Sequence, residues 1–181
     1  VNRADADNEI ITVKDASATV IGYVRRNESF FVISNGVAWI MGNVPGSANS
    51  QASFERPIFG AAESLAVCDG KAYITIPEGV NGFDLKTLRI EIDVKSTSGA
   101  LSFMIARGRR ATPTSDYTYE DILTTAITID QDEYSSATAA AAYAIDTSKD
   151  DLQTGDKLRI DCDGAGTGAK GATLIGTVGL P

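Results

Sequence analysis

The sequence predicts an all-β protein: an antiparallel β-sandwich or jelly-roll-like domain with long loops and at most one or two short helices. Three observations carry that expectation. Short segments of alternating apolar and polar residues recur at close spacing, Gly, Asn, Asp, Ser or Pro bounds each of them, and helical apolar periods are scarce. At 181 residues, 43% hydrophobic and 22% charged, the chain is long enough to bury one core and too apolar for a disordered one.

Taken in order, "IITVK" from Ile10, "ATVIGYV" from Ala18, "SFFVIS" from Ser29 and "VAWIM" from Val37 read as strands, with "SNG" at Ser34 to Gly36 as a tight turn. The stretch from Asn43 to Gly60, rich in Pro, Gly, Ser and Asn, reads as an extended surface loop. "CDG" at Cys68 to Gly70 reads as a turn into the strand "KAYITI" from Lys71. "LRIEIDVK" alternates without a miss from Leu88 to Lys95, and "STSG" then leads into "ALSFMIAR", so the two read as a hairpin.

Beyond it, "SDYTYEDILTT" from Ser115 suits one or two helical turns or an ordered loop. "TAITID" from Thr125, "DKLRIDC" from Asp156 and "ATLIGTV" from Ala172 are further strands. "SSATAAAAYAID" from Ser135 pulls both ways: alanine favours a helix, while small side chains suit close packing of sheets or subunits, and strand is the preferred reading. The expected organisation is an N-terminal β-rich arm and loop over residues 1–60, packed on the main domain or a neighbouring subunit, and a main sandwich over 61–181. Its expected core includes Leu88, Ile90, Ile92, Val94, Leu101, Phe103, Ile105, Leu158 and Ile160.

Charge and cysteine usage narrow the function classes. With 24 acidic against 16 basic residues the net charge is -8, and "ARGRR" at Ala106 to Arg110 is the one tight basic cluster, so nucleic acid is not an expected partner. These three arginines read as a solvated strand end that discourages stray pairing. No apolar run approaches the ~20 residues that span a bilayer, and "VNRADADNEI" has no apolar signal core, so no membrane partner is expected. Cys68 and Cys162 lack metal-site spacing and read as buried, reduced thiols. The absence of histidine removes Ser-His-Asp and Cys-His nucleophilic pairs.

The stretch "GAGTGAKG", Gly164 to Gly171, resembles a phosphate-cradling loop at first sight. It fails the Walker pattern, because Lys170 is followed by Gly171 and Ala172. Gly166, Gly168 and Gly171 match GxGxxG, yet the remaining residues "ATLIGTVGLP" are strand-like, where the fingerprint needs a helix. It is therefore read as a long turn joining two strands, with no nucleotide bound. Asp161, on the polar face, with Asp163 and Asp156, reads as a solvated acidic surface, as do Asp5 to Glu9 and Asp130 to Glu133. Trp39, between Ala38 and Ile40, reads as core. No motif favours two of the 24 acids as a catalytic pair, so the expectation is a non-enzymatic protein with no catalytic, cofactor-binding or metal-ligating residue.

From Ile127 to Pro181 the chain resembles a C-terminal module recurring in structural proteins of tailed bacteriophage virions. A strand is followed by a Ser/Ala-rich segment, "DDLQTGDKLRID", the turn "GAGTGAKG" and an apolar terminal strand. "LKTLRIEIDVKSTSGALSFMIARG" extends the likeness back to about Phe83. The resemblance implies a virion protein assembled in the host cytoplasm: foremost a capsid decoration or cement protein bound to the major capsid protein or another virion protein. The alternative it implies is a tail-fibre or head-fibre component that binds host-surface glycans. A homotrimer is expected, by analogy with shell proteins at three-fold positions.

Overall fold

The computed structural model describes residues 51–181, and before them the backbone of β1 (Ile10–Lys14), β2 (Val20–Arg25), β3 (Phe30–Ser34) and β4 (Trp39–Asn43). These four strands fall where alternation placed them, and β1 pairs antiparallel with β2, β3 with β4. The "SNG" turn, the acids at 5–9, the Trp39 side chain and residues 44–50 lie outside the described residues. The chain divides into two compact units, Val1–Gln51 and Ala52–Gly179.

The second unit contains β5 (Gln51–Ser64), β6 (Cys68–Thr75), β7 (Asp84–Glu91), β8 (Ser98–Arg109), β9 (Thr118–Asp121), β10 (Leu123–Thr125), β11 (Ile127–Ile129), β12 (Ala144–Ile145), β13 (Lys157–Thr167) and β14 (Lys170–Gly179). One sheet runs β11-β8-β13-β6, with β9 also on β8, and a second runs β5-β14-β7. β10 and β12 form a short separate ladder. The architecture is an all-β antiparallel sandwich, as the alternation predicts, with two one-turn 3-10 segments at Glu78–Val80 and Ser136–Thr138.

Alternation explains the core. Leu101, Phe103 and Ile105 of β8, Leu158 and Ile160 of β13, Ile90 of β7 and Leu174 of β14 are fully buried in one cluster between the two sheets. Eight of the nine expected core residues are buried; Val94 is 42% exposed, because β7 ends at Glu91 and Val94 only bridges Lys170.

The sheet assignment corrects three expectations about connections. β7 and β8 are not a hairpin: they lie in different sheets, and residues 92–97 carry the chain across. "GAGTGAKG" likewise joins no hairpin, since β13 continues to Thr167 and the chain turns only at Gly168–Ala169 before entering β14 of the other sheet. A strand, not a helix, comes after Gly171, so the amide end that a pyrophosphate needs is not formed. Gly166 and Gly168 adopt φ of +59° and +79°, which favours glycine, and a side chain on Gly166 would strike buried Ser96. The Ser96 hydroxyl receives Thr167 N–H at 3.1 Å and donates within its own turn, so both crossings are tied together at one point. "CDG", finally, is no turn but the bulged start of β6.

Two segments expected to be irregular or helical are recruited by the sheets. Gln51 to Gly60 is part of the fourteen-residue β5, and "SDYTYEDILTT" forms β9 and β10. The Ala-rich stretch is neither helix nor long strand: it makes a 3-10 turn, a loop and the two residues of β12. It lies along β7, an edge strand whose outward amides would otherwise be open. Leu88 N–H donates to the Tyr143 hydroxyl at 2.8 Å, Ile90 N–H to the Ser136 hydroxyl at 2.9 Å, and Ile92 N–H to Tyr134 O at 2.9 Å.

Tyr143→Phe leaves the Leu88 amide without an acceptor and is expected to lower stability by about 1–3 kcal/mol. Val94→Ala, at an exposed site, is expected to change it by no more than about 0.5 kcal/mol. Urea unfolding of both variants checks the contrast.

Candidate functional site

The basic cluster "ARGRR" is divided by strand geometry. The alternation that buries Leu101, Phe103 and Ile105 continues onto Arg107 and Arg109, which leave the core at the end of β8. Arg107, only 6% exposed, donates to Lys149 O and Asp151 O at 2.8 Å each, to Asp151 Oδ1 at 2.5 Å, and to Glu120 Oε1. Arg109 grips Asp156 with two nitrogens, Nε to Oδ1 at 3.0 Å and Nη2 to Oδ2 at 2.7 Å, and reaches Asp151 as well. Asp156, 3% exposed, also accepts Gln153 N–H at 2.9 Å. The expectation of a solvated strand end is therefore corrected for Arg107 and Arg109, and that of a solvated Asp156 with them.

Asp161 is corrected too. It lies on the outward face, as alternation requires, yet it is 4% exposed. β6 carries extra residues opposite it, and its carboxylate accepts Gly70 N–H at 2.6 Å and Arg159 at 2.7 Å, stapling the bulge to β13. Burial, then the neighbouring Asp161, Asp69 and Asp121, hold the Asp163 carboxyl above its usual range. Among the described residues no group of three His, Cys, Asp or Glu is placed to hold a metal ion.

What stays unpaired is informative. Among the described residues, Arg56, Arg110, Lys157 and Lys170 have no carboxylate partner. Two of them lie over Tyr117, Arg110 Cζ at 4.1 Å and Lys157 Nζ at 4.7 Å from the ring centre. Tyr117 meets Tyr119 at 6.0 Å, Tyr119 meets Tyr73 at 6.5 Å, and Arg159 stacks on Tyr119 at 4.8 Å. Tyr119 lies so close across Gly108 that a side chain there would strike its ring. The result is a cationic tyrosine face on the outside of the β9-β8-β13-β6 sheet, and Tyr73 is 41% exposed on it.

A cleft of about 380 Å³ adjoins this face between residues 109–113 and 153–156, with Tyr117 and Arg110 in its wall and the Arg109–Asp156 pair beside them. It offers a delocalised cation on an aromatic ring, with threonine hydroxyls around it. No single sequence motif announces the face, because its tyrosines and cations come from β6, β13, β9 with its approach, and the end of β8. Comparison of the chain with family models, with curated proteins and with solved structures finds no match.

Arg107→Met leaves Lys149 O and the Glu120 carboxylate without this donor and Asp151 with Arg109 alone, and is expected to cost about 2–4 kcal/mol. For Asp151, burial opposes the charge, but the Arg107 hydrogen bond and the two guanidinium charges outweigh it and hold the carboxyl below its usual range. A depressed folded value means that this stabilisation is complete above the unfolded pKa of about 3.9 and is lost as pH falls through the folded one. Unfolding curves between about pH 5 and pH 2 are therefore expected to fall less steeply for Asp151→Asn than for the native chain.

Proposed function

We propose that this chain is a non-enzymatic structural protein of a tailed bacteriophage virion, a decoration or cement protein that binds the assembled shell and stabilises it. The reading rests on the phage-module resemblance of residues 83–181. The observation that carries it to a surface is the cationic tyrosine face on a chain of net charge -8. Tyrosine and arginine are enriched among the side chains that dominate binding energy at protein interfaces: tyrosine buries large area with few rotors to order, and arginine adds a planar fork of donors. Unpaired Arg110 and Lys157 suit an acidic patch on the capsid protein. Binding to the assembled form alone stabilises it by mass action.

A second reading keeps the same sandwich and makes it a fibre component that binds host-surface glycans. The cleft beside Tyr117 favours it, because sugar rings stack on aromatic faces and hydroxyl groups line its wall. Copy number separates the two: a cement protein is present in stoichiometric numbers per particle, a fibre in a few.

Quantitative mass spectrometry of purified particles is expected to find shell-scale copy numbers, and particles lacking the protein are expected to lose genome at lower temperature. Tyr73→Ala combined with Lys157→Glu is expected to weaken rebinding to such particles by about 30-fold or more, as loss of a hot-spot contact of about 2 kcal/mol does. A few copies per particle, with glycan binding that the double variant abolishes, would favour the fibre. The trimer is proposed with the cement reading; light scattering of the purified chain is expected to give three times its 19.0 kDa.

A further inference from the structure

Cys68 and Cys162 sit directly opposite one another where β6 pairs with β13. Opposed residues of an antiparallel pair have Cα atoms about 4.5–5.5 Å apart, inside the range of about 4.4–6.8 Å that a disulfide spans. Their side chains share a face: Cys162 is part of the core cluster, and Cys68 packs against that same cluster from its rim. Both are free thiols, Cys162 fully buried and Cys68 half-buried. Neither is committed elsewhere. Cys68 Sγ–H points to Ala66 O at 3.3 Å and Cys162 Sγ–H to Gly164 O at 3.6 Å, weak bonds whose loss costs little.

We infer that Cys68 and Cys162 form a dithiol that closes to an intramolecular disulfide when the folded protein meets a small disulfide oxidant such as glutathione disulfide, fastening the bulged start of β6 to β13. The exchange balances without another reactant. The Cys68 thiolate attacks one sulfur of the oxidant; its S–S bond breaks, a mixed disulfide forms, and one glutathione thiolate leaves. The Cys162 thiolate then attacks Cys68 Sγ and expels the second. Two protein thiols are oxidised, one glutathione disulfide is reduced to two thiols, and the thiol protons pass through water.

The order of attack is set by exposure: Cys68, half-buried at the rim, is the reachable sulfur, and Cys162 is enclosed. Burial, then the Cys68 sulfur, push the Cys162 thiol up to about 11, and Asp163 adds to this while the Gly164 contact opposes it. In the mixed disulfide the Cys68 sulfur carries no charge, so burial is what still opposes the Cys162 thiolate that closes the bond. The bond anchors β6, the edge strand of its sheet, just beyond the bulge that Asp161 staples. It depends on no assumption about what the protein binds.

The test equilibrates the purified full chain with glutathione disulfide, alkylates the remaining thiols and maps the cysteine peptides by mass spectrometry. The expected product is a Cys68–Cys162 link within one chain, two glutathiones released per chain, and a Tm raised by several degrees that falls back on reduction. Closure is expected to accelerate as pH rises from about pH 7 to pH 9, as the Cys162 thiolate forms. Cys68→Ser and Cys162→Ala are each expected to lose the redox dependence of Tm while remaining folded by circular dichroism. A native chain that keeps both thiols alkylatable at equilibrium, stops at a Cys68–glutathione adduct, or links chain to chain would overturn the inference.

Discussion

The grip of Arg107 and Arg109 on the segment from Lys149 to Asp156 is the constraint on which the sandwich depends. That segment lies where the two sheets meet. Leu85 N–H donates to Asp150 O at 3.0 Å, Leu152 N–H to Phe83 O at 2.8 Å and Gly82 N–H to Leu152 O at 2.7 Å, so it is bonded to the start of β7 in one sheet. The guanidinium groups at the end of β8 hold it to the other. Leu152, fully buried between them, plugs the end of the core. Hydrophobic burial alone has no direction, whereas these donors fix where the crossing chain lies.

At the opposite end the link is neutral. Ser96 ties the two sheet-crossing turns together, and Asp93 and Val94 both donate to Lys170 O, at 3.0 and 2.9 Å. The sandwich is thus closed by charge at one end and by a buried hydroxyl at the other. Two arginines are consumed in the charged closure, and Arg159 is taken by Asp161 at the bulge. Arg110 and Lys157 have no carboxylate partner among the described residues, which is how an acidic chain presents a cationic face over Tyr117. The cationic face and fold stability are coupled through this division of charge: Asp156 holds Arg109, while Arg110, one residue on, faces outward over Tyr117.

Edge management gives the Ala-rich stretch its role. A two-sheet sandwich leaves β7 with open amides, and the residues around Ser136 and Tyr143 supply oxygens to them without adding a full strand. Alanines between those two side chains let the segment lie flat and partly exposed, where larger residues would hold it off.

The sequence by itself determined the class and most of the core. Period-2 alternation marked β8, β13 and β7 and buried Leu101, Phe103, Ile105, Leu158, Ile160 and Ile90, because side-chain direction along a strand is a local property. That same alternation, carried two and four residues past Ile105, places Arg107 and Arg109 on the core face, a signal outweighed by the rarity of buried arginine. Which strand pairs with which was decided only in three dimensions: β7 and β8 are adjacent in sequence and separate in space, as are β13 and β14. Alternation states which face a residue takes and is silent on the partner across the ladder. For the same reason the opposition of Cys68 and Cys162, the burial of Asp161 beneath a bulge, and the meeting of Tyr73, Tyr117 and Tyr119 with Lys157 and Arg159 belong to tertiary structure, since each depends on register between strands far apart in the chain.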